Sequence, residues 1–264
     1  IHWSERDGWA HFYRYDINGN LLNRITSGPF HSDNIKYYDQ KSNFLFFSAH
    51  GVNKEIDPYY EHTYKISLNG GVPKLLNKGD FNTMTYPSDN HKFFVNNFSR
   101  VNTTPKSNLI NSDGSVIMNL ETADLSALFE SGYKFPETFK AKADDGITDL
   151  YGVIYKPFDF DENKKYPLLE YVYPGPQTES VNKSFSVRMD RLDRMAQLGF
   201  IVITLGNRGG HPDRSKWYHN YGYGNLRDYG LADKKYVAQQ LANRHDFIDI
   251  NRVGIYGHSG GGFM

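Results

Sequence analysis

Apolar and polar positions alternate with a period of two along the first part of the chain. Phe12, Arg14 and Asp16 fall on one face, and Tyr13, Tyr15 and Ile17 on the other. Tyr64-Lys65-Ile66-Ser67-Leu68 alternates in the same way. This is the period of half-buried strands. An aromatic run, Asn43-Phe44-Leu45-Phe46-Phe47-Ser48, returns as Lys92-Phe93-Phe94-Val95-Asn96-Asn97. Asn18-Gly19, Asn69-Gly70-Gly71 and Asp113-Gly114 supply the positive φ that tight hairpins need. The turn glycines are 51 residues apart from Gly19 to Gly70 and 44 apart from Gly70 to Gly114. Repeats of about 40–50 residues with several strands each mark propeller blades. A plain antiparallel sheet is the alternative, and the period favours the propeller.

The texture changes near Ala123. Ala123-Asp124-Leu125-Ser126-Ala127-Leu128-Phe129-Glu130 has the pattern of a short amphipathic helix ending at Gly132. Phe139 to Tyr155 then reads as strands around Asp144-Asp145-Gly146, and Tyr166 to Tyr173 as an apolar strand stopped by Pro174-Gly175-Pro176. Met189, Leu192 and Met195 form a helical stripe closed by Gly199. Phe200 to Leu205 is a continuous apolar run, as expected of a strand buried on both faces. Leu226 to Ala242 is a second helix, with Leu231, Ala238 and Leu241 on one side, and Arg252 to Tyr256 a further buried strand. Alternating strands and helices predict an α/β domain with a parallel sheet. The expected division is propeller blades over 1–122, a linker helix over 123–135 and an α/β domain over 136–264.

Composition narrows the function. The chain has 30 basic and 30 acidic residues. That balance removes the electrostatic case for nucleic acid or an anionic membrane as partner. There is no cysteine, so disulfides and thiolate metal sites are excluded. No apolar run is long enough to span a membrane. No cofactor and no metal are expected.

The last strand runs into Gly257-His258-Ser259-Gly260-Gly261, a G-x-S-x-G nucleophile elbow. Bulky side chains at Gly257 and Gly261 would collide with neighbouring elements. The strained turn lifts the Ser259 Oγ toward substrate, and the Gly260 N–H faces the place where an oxyanion forms. A glycine-rich loop that merely contains serine is the alternative. The buried strand before it favours the elbow. His258 projects away from the serine, and His211, His219 and His245 are poor bases. In α/β-hydrolases the acid and then the histidine follow the serine, and five residues follow Ser259 here.

The whole succession resembles the prolyl oligopeptidase family, in its dipeptidyl peptidase IV branch. The resemblance lies in Lys164-Lys165-Tyr166-Pro167-Leu168-Leu169, Tyr173-Pro174-Gly175-Pro176, Asn207-Arg208-Gly209-Gly210, Tyr223-Gly224-Asn225-Leu226-Arg227-Asp228-Tyr229-Gly230 and Arg252 to Met264. It implies a β-propeller followed by an α/β-hydrolase domain. It implies a peptide substrate, cut after Pro or sometimes Ala near the N-terminus, with an acyl-enzyme on Ser259. It implies that Tyr173 donates its phenol O–H to the oxyanion beside the Gly260 N–H. Read without the family, Tyr173 is a strand-end core aromatic.

Two features depart from the family. Gly260 stands where the family has tyrosine, which weakens the expectation of proline preference. The paired glutamates that grip the substrate amino terminus are not found in this chain and are expected in propeller blades upstream of Ile1, and Glu5 and Glu55 are isolated. An acylaminoacyl-peptidase or esterase of the same family therefore stays open, as does a catalytically dead propeller used for binding. The family also suggests a periplasmic or extracellular location and allows a homodimer of the full-length protein. Ile1-His2-Trp3-Ser4 reads as mid-strand, so the chain is expected to be an internal segment without peptidase activity by itself. Gly261 to Met264 is not expected to form the helix that normally braces the elbow, and Arg252 to Tyr256 is expected to be a bare apolar edge.

Overall fold

Three glycine turns each close the last hairpin of an antiparallel sheet. In the computed structural model, which describes all residues except Pro176, 187–190 and 226–227, Gly19, Gly70 and Gly114 have φ of 83°, 89° and 91°. The first sheet holds β1 (His2–Ser4), β2 (His11–Tyr15) and β3 (Leu21–Arg24) in that order. The second holds β4 (His31–Asp39), β5 (Phe44–His50), β6 (Glu61–Ser67) and β7 (Lys74–Leu75). The third holds β8 (Asn82–Pro87), β9 (Phe93–Ser99), β10 (Lys106–Asn111) and β11 (Val116–Thr122). These are propeller-like blades, and the two aromatic runs occupy the equivalent strands β5 and β9.

The run in β5 is continuous because both of its faces are covered. Leu45, Phe47 and Ala49 pack with Phe12, Ile25 and Phe30. Phe46 points the other way and packs with Phe94 and Ile110. The alternation in β2 ends sooner than the sequence suggests. Asp16 Oδ1 accepts the N–H groups of Asn18 and Asn20 and closes the turn there. Ile17 is therefore in the turn and fully exposed.

The first unit of the chain comprises Ile1–Arg100, Thr104–Ala123 and Asp213–Trp217, and the second Val101–Thr103, Asp124–Pro212 and Tyr218–Met264. The second opens with α1 (Ser126–Glu130), shorter than the pattern suggested, because Asp124 Oδ1 accepts the Ser126 N–H at its start. Its sheet holds β12 (Glu137–Lys142), β13 (Asp149–Tyr155), β14 (Tyr166–Val172), β15 (Ile201–Leu205) and β16 (Ile248–Gly257) in the order β12-β13-β15-β14-β16. β14 is parallel to both β15 and β16. β13 runs antiparallel to β12 and β15. The sheet is thus mixed and not wholly parallel. The tight turn at Gly146 (φ 70°) can only join antiparallel strands.

Helices cover both faces. On one, Leu192 and Ala196 of α2 (Arg191–Ala196) pack with Val202; Met189 of the expected stripe lies outside the described residues. On the other, Val237 and Leu241 of α4 (Leu231–Arg244) pack with Ile201, Ile203 and Leu205. The loop between β15 and α4 carries α3 (Lys216–His219). α4 starts later than expected, after a turn in which the Leu231 N–H donates to Asp228 O; Leu226 and Arg227 lie outside the described residues. The strand expected at the end of the chain is β16, and it has the bare apolar edge expected of it: β14 is its one strand partner among the described residues, and Val253 and Ile255 are 47 % and 50 % exposed. One expectation there is corrected. Residues Gly260–Phe263 do form one helical turn, α5, after Gly261 N–H and Gly262 N–H donate to His258 O and Ser259 O.

Candidate active site

The elbow follows from β16 ending against β14. Val172 pairs with Gly257. A Cβ on Gly257 would lie 2.5 Å from Val172 O, and one on Gly261 would lie 1.9 Å from the same oxygen and 3.4 Å from Tyr173 Cα. Neither position has room for a side chain. The chain must turn inside this gap, and Ser259 turns it with φ 54° and ψ −117°. That is a region L-residues rarely occupy, at a cost of about 1–3 kcal/mol. Ser259 is exposed at the C-terminal end of the parallel strands. Among the described residues, no protein acceptor takes the Gly260 N–H. Gly260 itself has nothing within 4 Å of a built Cβ.

Tyr173 leaves β14 beside this turn and is half-buried against the cluster that holds Val153, Tyr171 and Val202. Its ring needs Gly175, where a Cβ would sit 2.8 Å from Tyr173 Cε1. The next peptide is pinned by Tyr229, whose hydroxyl donates to Pro174 O. The Tyr229 ring fills the space left by Gly209 and Gly222, where Cβ atoms would come within 2.4 and 2.8 Å of it. Burial raises the Tyr229 pKa, so the phenol stays a donor. Pro176 lies outside the described residues.

The Asn207–Gly210 loop is tied down by charge. Arg208 places Nη2 2.7 Å from Asp233 Oδ1 and Nη1 3.1 Å from Asp145 Oδ2. Asp233 is fully buried in the first turn of α4 and also accepts the Arg208 and Asp144 backbone N–H groups. Burial works against the Arg208 charge, but Asp233 outweighs it and the pKa is raised. Glu179 is buried beneath the loop. It accepts the Tyr218 hydroxyl at 2.5 Å, and Gly206 and Gly210 leave it the room it needs.

Beside the elbow strand, Glu170 of β14 pairs in register with Ile255. Its Oε1 lies 3.4 Å from Lys234 Nζ, with both side chains about 5 % exposed. Lys234 Nζ also donates to Leu205 O. Burial pushes the Glu170 pKa up and Lys234 pulls it part of the way back. Sequence reasoning missed Glu170, Glu179, Asp233 and Lys234. Their one signal is charge set among apolar positions, as with Asp233 and Lys234 on the face of α4 that carries Val237 and Leu241.

The histidines sit apart from the serine. His258 is exposed, His219 Nδ1 hydrogen-bonds with Gly210 O, and His245 stacks on Phe247. Among the described residues, no histidine or carboxylate hydrogen-bonds to Ser259. The site brings together a lifted hydroxyl, an unengaged backbone N–H beside it and a braced tyrosine on the adjacent strand. Those are the parts of acyl transfer to serine.

Two family models match. One, the dipeptidyl peptidase IV N-terminal region, covers residues 1–105; the other, the prolyl oligopeptidase family, covers residues 185–264. Human dipeptidyl peptidase 8 is 40 % identical over 133 residues, 50 % of this chain and 15 % of that protein. A probable dipeptidyl-aminopeptidase B from Talaromyces marneffei is 28 % identical over 98 % of this chain and 29 % of its own length. The crystal structure of Porphyromonas gingivalis dipeptidyl peptidase 4 superposes with a TM-score of 0.81 at 27 % identity, covering 98 % of this chain and 36 % of that one. That of a putative dipeptidyl aminopeptidase IV from Bacteroides ovatus gives 0.82 at 24 % identity, a likeness of fold, over 99 % and 39 % of the two chains. The chain therefore spans well under half the length of the proteins it matches.

Proposed function

The chain belongs to the prolyl oligopeptidase family, on its dipeptidyl peptidase IV side, and from that premise we propose that it carries the nucleophile and oxyanion site of a serine peptidase releasing N-terminal dipeptides after Pro or Ala. One observation supports this reading above the rest. Ser259 sits at positive φ between two glycines that close approach to Val172 makes obligatory. Ser259 Oγ attacks the scissile carbonyl carbon while a base takes its proton. The oxyanion is held by the Gly260 N–H and the Tyr173 hydroxyl. The C–N bond then breaks, the amine leaves with that proton, and water hydrolyses the ester. In α/β-hydrolases the acid and histidine follow the serine in sequence. The division into propeller over 1–122, linker over 123–135 and hydrolase from 136 is part of the reading, as are the exported location and the homodimer of the full-length protein.

The direct test uses the full-length gene product with Gly-Pro-p-nitroanilide, an N-acyl-alanine p-nitroanilide and a p-nitrophenyl ester. Turnover of the first supports a dipeptidyl peptidase. Inertness on all three sinks the enzyme reading and leaves a propeller module for binding. Within an active protein, Tyr173→Phe keeps the packed ring and removes one oxyanion donor. It is expected to lower kcat about 10²–10³-fold with little change in KM. An unchanged kcat would make Tyr173 a packing residue only.

The open space over Gly260 favours a second, broader reading in which the site lacks a wall against proline. Gly260→Tyr meets no neighbour within 4 Å at its Cβ. It is expected to raise kcat/KM for Gly-Pro over Gly-Leu p-nitroanilide by about tenfold, the scale of one added apolar contact. A ratio that does not move would place the selectivity elsewhere.

A further inference from the structure

Three neighbouring strands of the second sheet each bring one ligating side chain to the same place. Asp33 is on β4, His50 ends β5 and Glu61 begins β6. One ligand atom from each lies within 4.8 Å of the others. None of the three belongs to the catalytic site, and the sequence had suggested no metal.

The hydrogen bonding of His50 fixes its chemistry. Nδ1 lies 3.1 Å from the Tyr59 carbonyl oxygen, an atom that only accepts. It also lies 3.6 Å from Asp213 Oδ2. Nδ1 therefore donates, and Nε2 is the ring nitrogen left to face the carboxylates. Nε2 is 4.0 Å from Asp33 Oδ2, and the His50 side chain is only 9 % exposed. That distance is too long for a hydrogen bond. An imidazole whose other N–H donates to a backbone carbonyl is the usual form of a metal-bound histidine. Two ligands at about 2.0–2.2 Å from one ion are about 3.3–4.4 Å apart for angles from tetrahedral to linear, a range that contains the 4.0 Å between Nε2 and Asp33 Oδ2.

We propose that His50 Nε2 and the carboxylates of Asp33 and Glu61 bind one divalent ion of the zinc class, tying β4, β5 and β6 together. One imidazole with two carboxylates suits first-row transition ions better than Ca²⁺ or Mg²⁺. The surrounding groups fit this assignment. Asp33 Oδ2 is oriented by the Ser48 hydroxyl and the Asn34 side-chain amide, which both donate to it. Asp213 adds negative charge on the far side of the ring. Lys36 Nζ lies 3.0 Å from Glu61 Oε1 with its side chain 21 % exposed. It is the competing cation, and the ion displaces it toward solvent.

The test is zinc content and binding in the full-length protein, beside Asp33→Asn and His50→Gln variants. Each variant is expected to lose one equivalent of zinc and to weaken binding at least about 100-fold, beyond the effect of losing an outer-shell partner. Zn²⁺ is expected to raise the Tm of the parent and not of the variants. His50→Gln could fail to fold, so Co²⁺ is added to the parent alone; visible d–d bands that Zn²⁺ abolishes are expected. Equal zinc content in the parent and Asp33→Asn would overturn the proposal. So would a parent that gives no Co²⁺ bands, which would leave the three side chains as a structural cluster.

Discussion

Ser259→Ala in the full-length protein is expected to lower kcat on Gly-Pro-p-nitroanilide on the order of 10⁶-fold, as loss of a serine nucleophile does elsewhere. The structure adds a second expectation that separates chemistry from folding. Ser259 holds φ 54° and ψ −117°, and alanine inherits that strain. The Tm of Ser259→Ala should therefore stay close to the parent. Ser259→Gly removes the Cβ that makes this conformation costly. After the entropy lost by adding a glycine, it is expected to stabilise by about 1 kcal/mol. Both variants should be inert. If Ser259→Gly were less stable than Ser259→Ala, the backbone would not be strained there. If Ser259→Ala kept its activity, the nucleophile would be another group.

Lys234→Met is expected to destabilise by about 3–5 kcal/mol at neutral pH, because it leaves a buried carboxylate without its cation. The loss should depend on pH in a defined direction. Burial already holds the Glu170 pKa above the ordinary carboxylate range, with Lys234 opposing. Without Lys234 nothing opposes the rise. A carboxyl whose folded pKa exceeds its unfolded one contributes stability that is fully present below the unfolded pKa. That stability is lost as pH rises through the folded pKa. The variant should thus lie close to the parent near pH 4 and fall progressively behind above it. The double variant Glu170→Leu/Lys234→Met removes both charges and should recover most of the loss. Urea denaturation at pH 4.5 and pH 8 measures all three. A deficit that is the same at both pH values would mean that packing, and not charge, is lost.

The sequence was most legible where one physical demand dominates a stretch of chain. β5 was visible because both of its faces are covered, so Phe44-Leu45-Phe46-Phe47 carries no polar interruption. The hairpin glycines were visible because few other residues accept positive φ. The elbow was visible because Gly257 and Gly261 meet the same carbonyl oxygen. Legibility failed where the deciding partner is far along the chain. The pairs Glu170 with Lys234 and Arg208 with Asp233 each join residues from different elements, and no local period encodes them. Ile17 was placed on a strand because its side chain fits the alternation, while the Asp16 carboxylate had already ended it.

The parallel pairing of β14 with β16 has a further consequence for how this site can evolve. Tyr173 and Ser259 each follow the end of one of these strands, in a register fixed from Leu168↔Val253 to Val172↔Gly257. Their separation is set by the backbone ladder, whose spacing is about 4.8 Å whatever side chains it carries. Substitutions in the sheet interior change how long the ladder survives heating long before they change its ruling. A one-residue slip of β16 would instead carry the serine about 3.3 Å along the strand direction and turn its neighbours to the opposite face. Drift in the core is therefore forgiven by the chemistry, whereas insertions and deletions within these two strands are not.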